Sequence, residues 1–162
     1  MPERIAAYIM IGGPMPKSRL PDLLKAIREE GVSLDWGEPL FEPTDAEQLL
    51  TAMRGQHLWL CDEQASWGEF PDLEKACRAL GVGYTRHSDA GIEWDAELVE
   101  WRRGMAKPVV SIASNCGDAT FIPTNEAKKV LKHLKAGQVA EATKRFRRLC
   151  PNVPKLSAFK IV

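Results

Sequence analysis

The chain has 162 residues, of which 44% are hydrophobic and 27% charged, and its formal net charge at pH 7 is zero. This length and composition are typical of one soluble globular domain that folds without disulfide or metal staples. The four cysteines are widely spaced and form no Cys-x-x-Cys pair, so neither a disulfide framework nor a structural zinc site is predicted. We therefore expect reduced thiols, no cofactor and a cytoplasmic location.

The first ninety residues predict alternating strands and helices. Residues 5–11 form an apolar run that glycine and proline interrupt, which predicts a buried strand and is too short for a signal peptide or membrane span. A helix is predicted over residues 18–30, and Thr44 and Glu47 have the spacing of a capping box that begins a second helix. Strands are then predicted over residues 57–61 and 82–87, with a helix between them that begins at Pro71 and ends before Gly81.

The pattern changes after residue 90. From residue 92 to residue 101, apolar side chains alternate with Glu93, Asp95 and Glu97, which predicts a strand with one acidic, solvent-facing side. Residues 109–112 and 119–122 predict a hairpin, and two amphipathic helices separated by Gly137 follow it. The prolines at 151 and 154 then predict an extended tail.

Together these elements predict an α+β fold. Residues 1–122 should form a mixed β-sheet with helices packed on it. Residues 123–162 should form a basic two-helix hairpin and an extended tail, packed on the sheet domain or appended to it.

The zero net charge conceals a division between the two ends of the chain. Residues 1–120 contain 12 Lys/Arg and 20 Asp/Glu, a balance of −8, whereas residues 121–162 contain 10 Lys/Arg and 2 Glu, a balance of +8. Like charges gathered in one place create a field that steers association with a partner. The residues predicted to bind are Lys128, Lys129, Lys132, Lys144, Arg145, Arg147 and Arg148, and the second charged face is Glu93, Asp95 and Glu97.

This basic surface has three interpretations. It could be a solvated helix face or dock on the acidic part of this chain or of a second copy. It could bind an acidic protein. It could also contact nucleic acid phosphates, although the sequence contains no zinc-finger, RNP-like or Walker motif. A membrane partner is not predicted.

Polar residues at two predicted strand ends are the best candidates for chemistry. If residues 58–61 and 82–87 are parallel strands joined by the helix after Pro71, their carboxyl ends lie at one sheet edge. Asp62, Glu63, His87 and Asp89 would then gather there, as a metal-assisted hydrolase requires. The alternative is capping, turn formation and ion pairing, with Arg86 paired to Asp62 or Glu63. A thiol nucleophile at Cys116, activated by His87, is a further candidate.

Four short segments carry a resemblance to a known class of proteins. Residues 62–70, 84–89, 94–95 and 101–105 resemble small uncharacterised proteins of bacteriophages and mobile elements. The resemblance implies an accessory protein that binds a host-encoded or element-encoded macromolecule, and it assigns no activity or residue role. The sequence therefore predicts a non-enzymatic intracellular binding or regulatory protein, with the hydrolase and the nucleic-acid-binding protein as alternatives.

Overall fold

The computed structural model describes residues 3–162, which form five helices and nine strands. The helices are α1 (Leu20–Glu30), α2 (Ala46–Thr51), α3 (Pro71–Leu80), α4 (Thr124–Lys135) and α5 (Val139–Leu149). The strands are β1 (Arg4–Gly12), β2 (Pro14–Met15), β3 (Met53–Arg54), β4 (His57–Ser66), β5 (Gly83–Ser88), β6 (Glu97–Trp101), β7 (Val109–Ala113), β8 (Thr120–Phe121) and β9 (Lys160–Ile161).

Seven strands form the main sheet in the order β3-β4-β1-β5-β6-β7-β8. The predicted α+β class is confirmed. Every neighbouring pair in this sheet is antiparallel, so the sheet is antiparallel rather than mixed, and parallel pairing is confined to the separate β2–β9 ladder. The reason is that α3 returns the chain to the far side of β1. Strands β4 and β5 therefore run in the same direction but flank β1 instead of pairing with each other.

The core lies between one face of this sheet and the helices α1 and α3. Alternate residues of β1 are buried, and they pack in one cluster with the apolar stripes of both helices. This arrangement follows from the two-residue period of a strand and the 3.6-residue period of a helix. The opposite face of the sheet, called the open face below, carries the remaining residues of β1, such as Tyr8 and Met10, which are only half-buried.

The N-cap of α2 lies one residue later than the sequence analysis predicted. Asp45, not Thr44, is the N-cap, and its carboxylate accepts a hydrogen bond from the Gln48 backbone N–H at 2.9 Å. The Gln48 side chain, not Glu47, reaches back and accepts from the Thr44 N–H at 2.8 Å. Asp45 and Gln48 therefore have the spacing of a capping box, but the Gln48 side chain bonds to the N–H one residue before the cap.

We expect Asp45→Ala to lower the free energy of unfolding by about 1 kcal/mol, because it leaves the Gln48 N–H without its partner. Chemical denaturation monitored by circular dichroism would measure the change. Glu47→Ala is the matched control, because it removes an exposed carboxylate from the same helical turn and should cost less. A larger loss in Glu47→Ala would contradict this assignment of the cap.

The C-terminal tail is extended, as predicted, and it returns to the sheet. The Phe159 N–H donates to the Gln56 carbonyl at 2.8 Å, and the Phe159 side chain is only 2% exposed within the core cluster. The tail crosses the ends of β1 and β5, where a Cβ on Gly12 would collide with the Ser157 carbonyl and the Leu156 side chain. Glycine at position 12 therefore allows the close approach of the tail.

Between β8 and the tail, the α4–α5 hairpin projects from the fold. Of its helical residues only Ala142 is buried, so the hairpin is appended to the sheet domain rather than packed on it. Among residues 3–162, no helix has the length and apolar character needed to cross a lipid bilayer.

The four cysteines are free thiols. Cys61 and Cys77 are buried, and Cys116 and Cys150 are exposed. Burial raises the pKa of Cys61 to about 12. The same desolvation raises the pKa of Cys77, which lies in the core cluster. The two buried thiols are therefore protonated and serve as apolar packing groups.

Candidate functional site

The predicted strand-end residues do come to one edge of the sheet, with β1 between them. β4 and β5 both run antiparallel to β1, and the pairs Ala7–Asp62 and Ala7–Ser88 place their carboxyl ends together. Glu63, His87 and Asp89 line one groove on the open face. Asp62 does not line this groove, because its carboxylate accepts the Gln64 N–H at 2.8 Å and borders a neighbouring cavity.

Arg86 lies on the other side of the sheet. Its guanidinium faces α3, where Nε is 2.9 Å from the Glu74 carboxylate, and Nη1 donates to the Gly68 carbonyl at 2.6 Å. The interpretation that Arg86 pairs with Asp62 or Glu63 is therefore wrong. Successive residues of a strand point to opposite faces, so His87 and Arg86 cannot both face the groove.

These residues do not form a metal centre. Among residues 3–162, no three His, Cys, Asp or Glu side chains are placed so that they could share a metal ion. Asp62 faces away from the groove, and the closest approach of His87 to Asp89 is 4.0 Å between Nδ1 and Oδ1. Within the described residues, the four side chains therefore do not supply three protein ligands to one metal ion.

The groove has aromatic walls. Its volume is about 560 Å³, and the rings of Tyr8, Trp36, Trp59 and His87 line it. Tyr8 stacks on Trp59 with ring centroids 5.8 Å apart and on His87 at 5.2 Å, so the three rings form a row across β4, β1 and β5. Trp36 meets Trp59 edge to face at 5.6 Å. Such stacked and T-shaped contacts are the favoured geometries of aromatic pairs.

The loop between β7 and β8 holds His87 in place. The imidazole is 2% exposed, and Nε2 lies 2.9 Å from the Ser114 carbonyl. Because a carbonyl oxygen only accepts, Nε2 carries a proton, and Nδ1 lies 4.0 Å from the Asp89 carboxylate. The hydrogen bond of Nε2 is thus made with the loop backbone and not with the Cys116 thiol.

Gly117 lets this loop close over the rings. Its φ is +69°, and a Cβ there would lie 2.8 Å from the Tyr8 hydroxyl oxygen and 3.0 Å from the His87 ring. Only glycine meets both requirements without strain. Burial, together with the charge of Asp89, raises the pKa of Tyr8, so its hydroxyl remains protonated at neutral pH and is a hydrogen-bond donor.

A cation already lies on the far side of Trp59. The Arg54 guanidinium carbon is 4.0 Å from the centre of the Trp59 ring system, and Nη2 is 2.9 Å from the Asp35 carboxylate. Arg54 also donates to the Leu34 carbonyl at 2.6 Å. The open face of this sheet therefore shows a planar cation stacked on tryptophan and paired with a carboxylate.

Sequence reasoning missed Tyr8, Trp36, Trp59 and Arg54. Tyr8 and Trp59 lie in runs that were correctly predicted as strands, but their shared face depends on the pairing of β1 with β4, which no local pattern reveals. Trp36 reaches the groove because Ser33 exchanges backbone hydrogen bonds with Cys61 of β4 at 2.8 and 2.9 Å.

The predicted acidic face divides into two parts. Glu93 and Asp95 are exposed in the loop before β6, because the strand begins only at Glu97 and not at residue 92. Glu97 faces the helices, where its carboxylate is 3.5 Å from Arg86 Nη2. The three carboxylates therefore do not form one stripe on a strand.

The basic residues predicted to bind lie on the α4–α5 hairpin. Seven of the hairpin's eight Lys and Arg side chains are exposed: Lys128, Lys129, Lys132, Lys135, Lys144, Arg147 and Arg148. Arg145 is half-buried and donates to Glu126 at 2.7 Å, which joins the two helices, and Lys129 pairs with the same carboxylate. These two hydrogen bonds lower the pKa of Glu126. Of the seven predicted residues, Arg145 thus joins the two helices, and Lys129 pairs within α4.

Comparisons with known proteins found no protein-family model, no curated protein and no solved structure that matches this chain.

Proposed function

We propose that this chain is a non-enzymatic binding or regulatory accessory protein, and that the α4–α5 hairpin docks on an acidic protein surface. The observation that carries the proposal is an uncovered apolar face on this hairpin. Four large side chains, Leu131, Leu134, Val139 and Phe146, are 47–60% exposed. Apolar side chains grouped on a projecting element and bordered by charge are typical of a protein interface.

Positive charge borders the apolar face. Lys128, Lys132 and Lys135 lie along α4, and Lys144, Arg147 and Arg148 lie along α5. Within the described residues these six form no ion pair, whereas Lys129 and Arg145 are held by Glu126. Free cations around an apolar centre favour a partner whose surface is apolar at its centre and acidic at its rim.

The apolar surface continues from the hairpin onto the edge of the sheet. A crevice of about 360 Å³ is lined by Val110 and Phe121 of the sheet and by Arg148 and Leu149 of α5. Val110 and Phe121 are themselves largely exposed. The docking surface therefore includes the β7–β8 edge as well as the hairpin.

The same surface favours a protein partner over nucleic acid. Binding to phosphates needs cations and gains little from Leu131, Leu134, Val139 or Phe146. A protein interface removes such side chains from water, at roughly 25 cal/mol per Å² of apolar area. The resemblance to small proteins of phages and mobile elements supports the accessory role and assigns no activity.

The test is quantitative capture of partners from a native lysate by three variants. The first variant reverses three exposed positive charges of α5 (Lys144→Glu, Arg147→Glu and Arg148→Glu). The second replaces two exposed apolar side chains of the hairpin with serine (Leu131→Ser and Phe146→Ser). The matched control reverses three exposed lysines on other elements (Lys17→Glu, Lys75→Glu and Lys107→Glu). Each variant changes only exposed side chains and should remain folded by circular dichroism.

We expect one acidic protein to be captured equally by the wild type and the control, and at least about tenfold less by both hairpin variants. This capture should survive nuclease treatment. Equal capture by the hairpin variants would contradict the proposal. If nuclease treatment abolishes the capture, the hairpin binds nucleic acid instead of an acidic protein.

A further inference from the structure

The aromatic groove on the open face has the features of a ligand site, and the hairpin does not touch it. Its residues come from β1, β4, β5, the segment before α2 and the β7–β8 loop, so the folded sheet preforms it. Tyr8, Trp36 and Trp59 give it flat apolar walls. A cavity of about 560 Å³ can hold a small molecule or a single side chain.

The Asp and Glu side chains that line the groove make it acidic. Glu63 and Asp89 supply carboxylates at the rim. His87 is 2% exposed, and its Nδ1 forms no hydrogen bond within the described residues because only Nε2 is bonded, to the Ser114 carbonyl. His87 Nδ1 lies 4.0 Å from the Asp89 carboxylate, and the described residues that line the groove include no cationic Lys or Arg side chain. Two carboxylates in such a lining favour a ligand that is positively charged and rich in N–H groups.

Arg54 indicates which cation such walls accept. Its guanidinium lies 4.0 Å from the centre of the Trp59 rings while pairing with Asp35. The groove also brings tryptophan rings and carboxylates together, because Trp36, Trp59, Glu63 and Asp89 all line it. A planar guanidinium suits this combination better than an ammonium does, because it stacks on rings while its in-plane N–H groups bond to carboxylates.

We infer that this groove binds a guanidinium group, held against the rings of Trp36 and Trp59 and paired with Glu63 and Asp89. The group could belong to a free small molecule or to an arginine side chain of a peptide. Anionic ligands are excluded by the two carboxylates. This inference does not depend on the proposed function of the hairpin.

The structure provides an internal control for the test. Trp67 and Trp94 form a second aromatic pair with ring centroids 5.2 Å apart, and Glu69 and Glu97 line the cavity beside them. No unpartnered imidazole lines that cavity. If cations are attracted to any tryptophan beside a carboxylate, both pairs of tryptophans should respond to an added cation. If the groove is a specific site, only Trp36 and Trp59 should respond.

The experiment follows the indole N–H signals of the five tryptophans by two-dimensional NMR during titration. The probes are methylguanidinium, an end-blocked Gly-Arg-Gly peptide, and the same peptide with neutral citrulline in place of arginine. We expect saturable shifts of Trp36 and Trp59 with the first two probes only. If methylguanidinium binds as tightly as the arginine peptide, the site is one for a free small molecule. If the peptide binds more tightly, the site is one for an arginine side chain of a peptide.

The variants Glu63→Gln and Asp89→Asn should each weaken binding by about tenfold, whereas Glu69→Gln should leave it unchanged. All three side chains are at least half exposed or lie on the surface, so the variants should fold. The inference is overturned by the absence of saturable shifts, by equal shifts at Trp67 and Trp94, or by equal binding of the citrulline peptide.

Discussion

Replacement of Glu74 by Gln is expected to lower the free energy of unfolding by about 3 kcal/mol, because it removes the nearer and more buried of the two carboxylates that pair with the buried Arg86. The Arg86 side chain is 4% exposed, and its Nε is 2.9 Å from Glu74 Oε1. The second carboxylate oxygen accepts a hydrogen bond from the Tyr84 hydroxyl at 3.0 Å. One substitution therefore disturbs two buried groups at once.

The Glu74 carboxylate is the centre of this network on the helix side of the sheet. The Tyr84 hydroxyl also accepts from Arg78 at 2.7 Å, and burial, reinforced by the charge of Glu74, raises the pKa of Tyr84. The phenol is therefore protonated at neutral pH, and it donates to Glu74. Glutamine keeps the size of the side chain but supplies neither the charge nor two acceptor oxygens.

Glu97→Gln is the matched control, because Glu97 contacts the same arginine. Its carboxylate is 3.5 Å from Arg86 Nη2, and its side chain is 41% exposed. Because water reaches the Glu97 carboxylate and the contact is longer, we expect this pair to contribute roughly 0–1 kcal/mol, as exposed ion pairs do. Urea unfolding of the two variants, followed by circular dichroism, gives both values. Equal losses in the two variants, or a loss in Glu74→Gln below about 1 kcal/mol, would contradict this account of the network.

Most helices and strands of the fold could be predicted from sequence, because the spacing of apolar residues within a short segment indicates which element it forms. The helix over Pro71–Leu80 and the β7–β8 hairpin were predicted at or within two residues of their observed positions. The capping box was placed one residue early, since Thr44 and Asp45 are both good caps and only the bond from Gln48 distinguishes them. Local patterns fix the type of an element more firmly than its ends.

The candidate site could be predicted only in part, because it depends on which strands pair. The polarity of residues after β4 and β5 led correctly to Glu63, His87 and Asp89 at one edge. The pairing of Tyr8 with His87 across β1 and β5 joins residues that are 79 positions apart, and no local period encodes it. Arg86 was misassigned because the sequence does not show which face of β5 meets α3.

The same limit applies to the hairpin. An apolar stripe such as Leu131 with Leu134 normally indicates a face that packs, and the sequence analysis expected the hairpin either to pack or to be appended. The structure leaves that stripe uncovered. A sequence pattern shows that one face of a helix is apolar. It does not show whether that face packs on the same chain or on another molecule.

Phe159→Ala is the second substitution with a large expected effect, and we expect it to lower the free energy of unfolding by about 3–5 kcal/mol. The ring is 2% exposed and lies in the core cluster, although it follows the projecting hairpin in the chain. Phe121→Ala is the matched control, because the same atoms are removed from a ring that is 55% exposed, and it should cost less than about 1 kcal/mol.

This comparison decides whether the tail belongs to the cooperative unit of the sheet domain. The Phe159 N–H donates to the Gln56 carbonyl, and β9 pairs with β2, so the tail ties the last residues of the chain to its first strands. If that attachment is part of the core, Phe159→Ala shifts the single urea transition with an unchanged slope. A loss no larger than that of Phe121→Ala, or a separate early transition, would mean that the tail detaches on its own. The hairpin would then be held to the sheet only at β8, and its apolar face would not have the fixed position that docking on a partner requires.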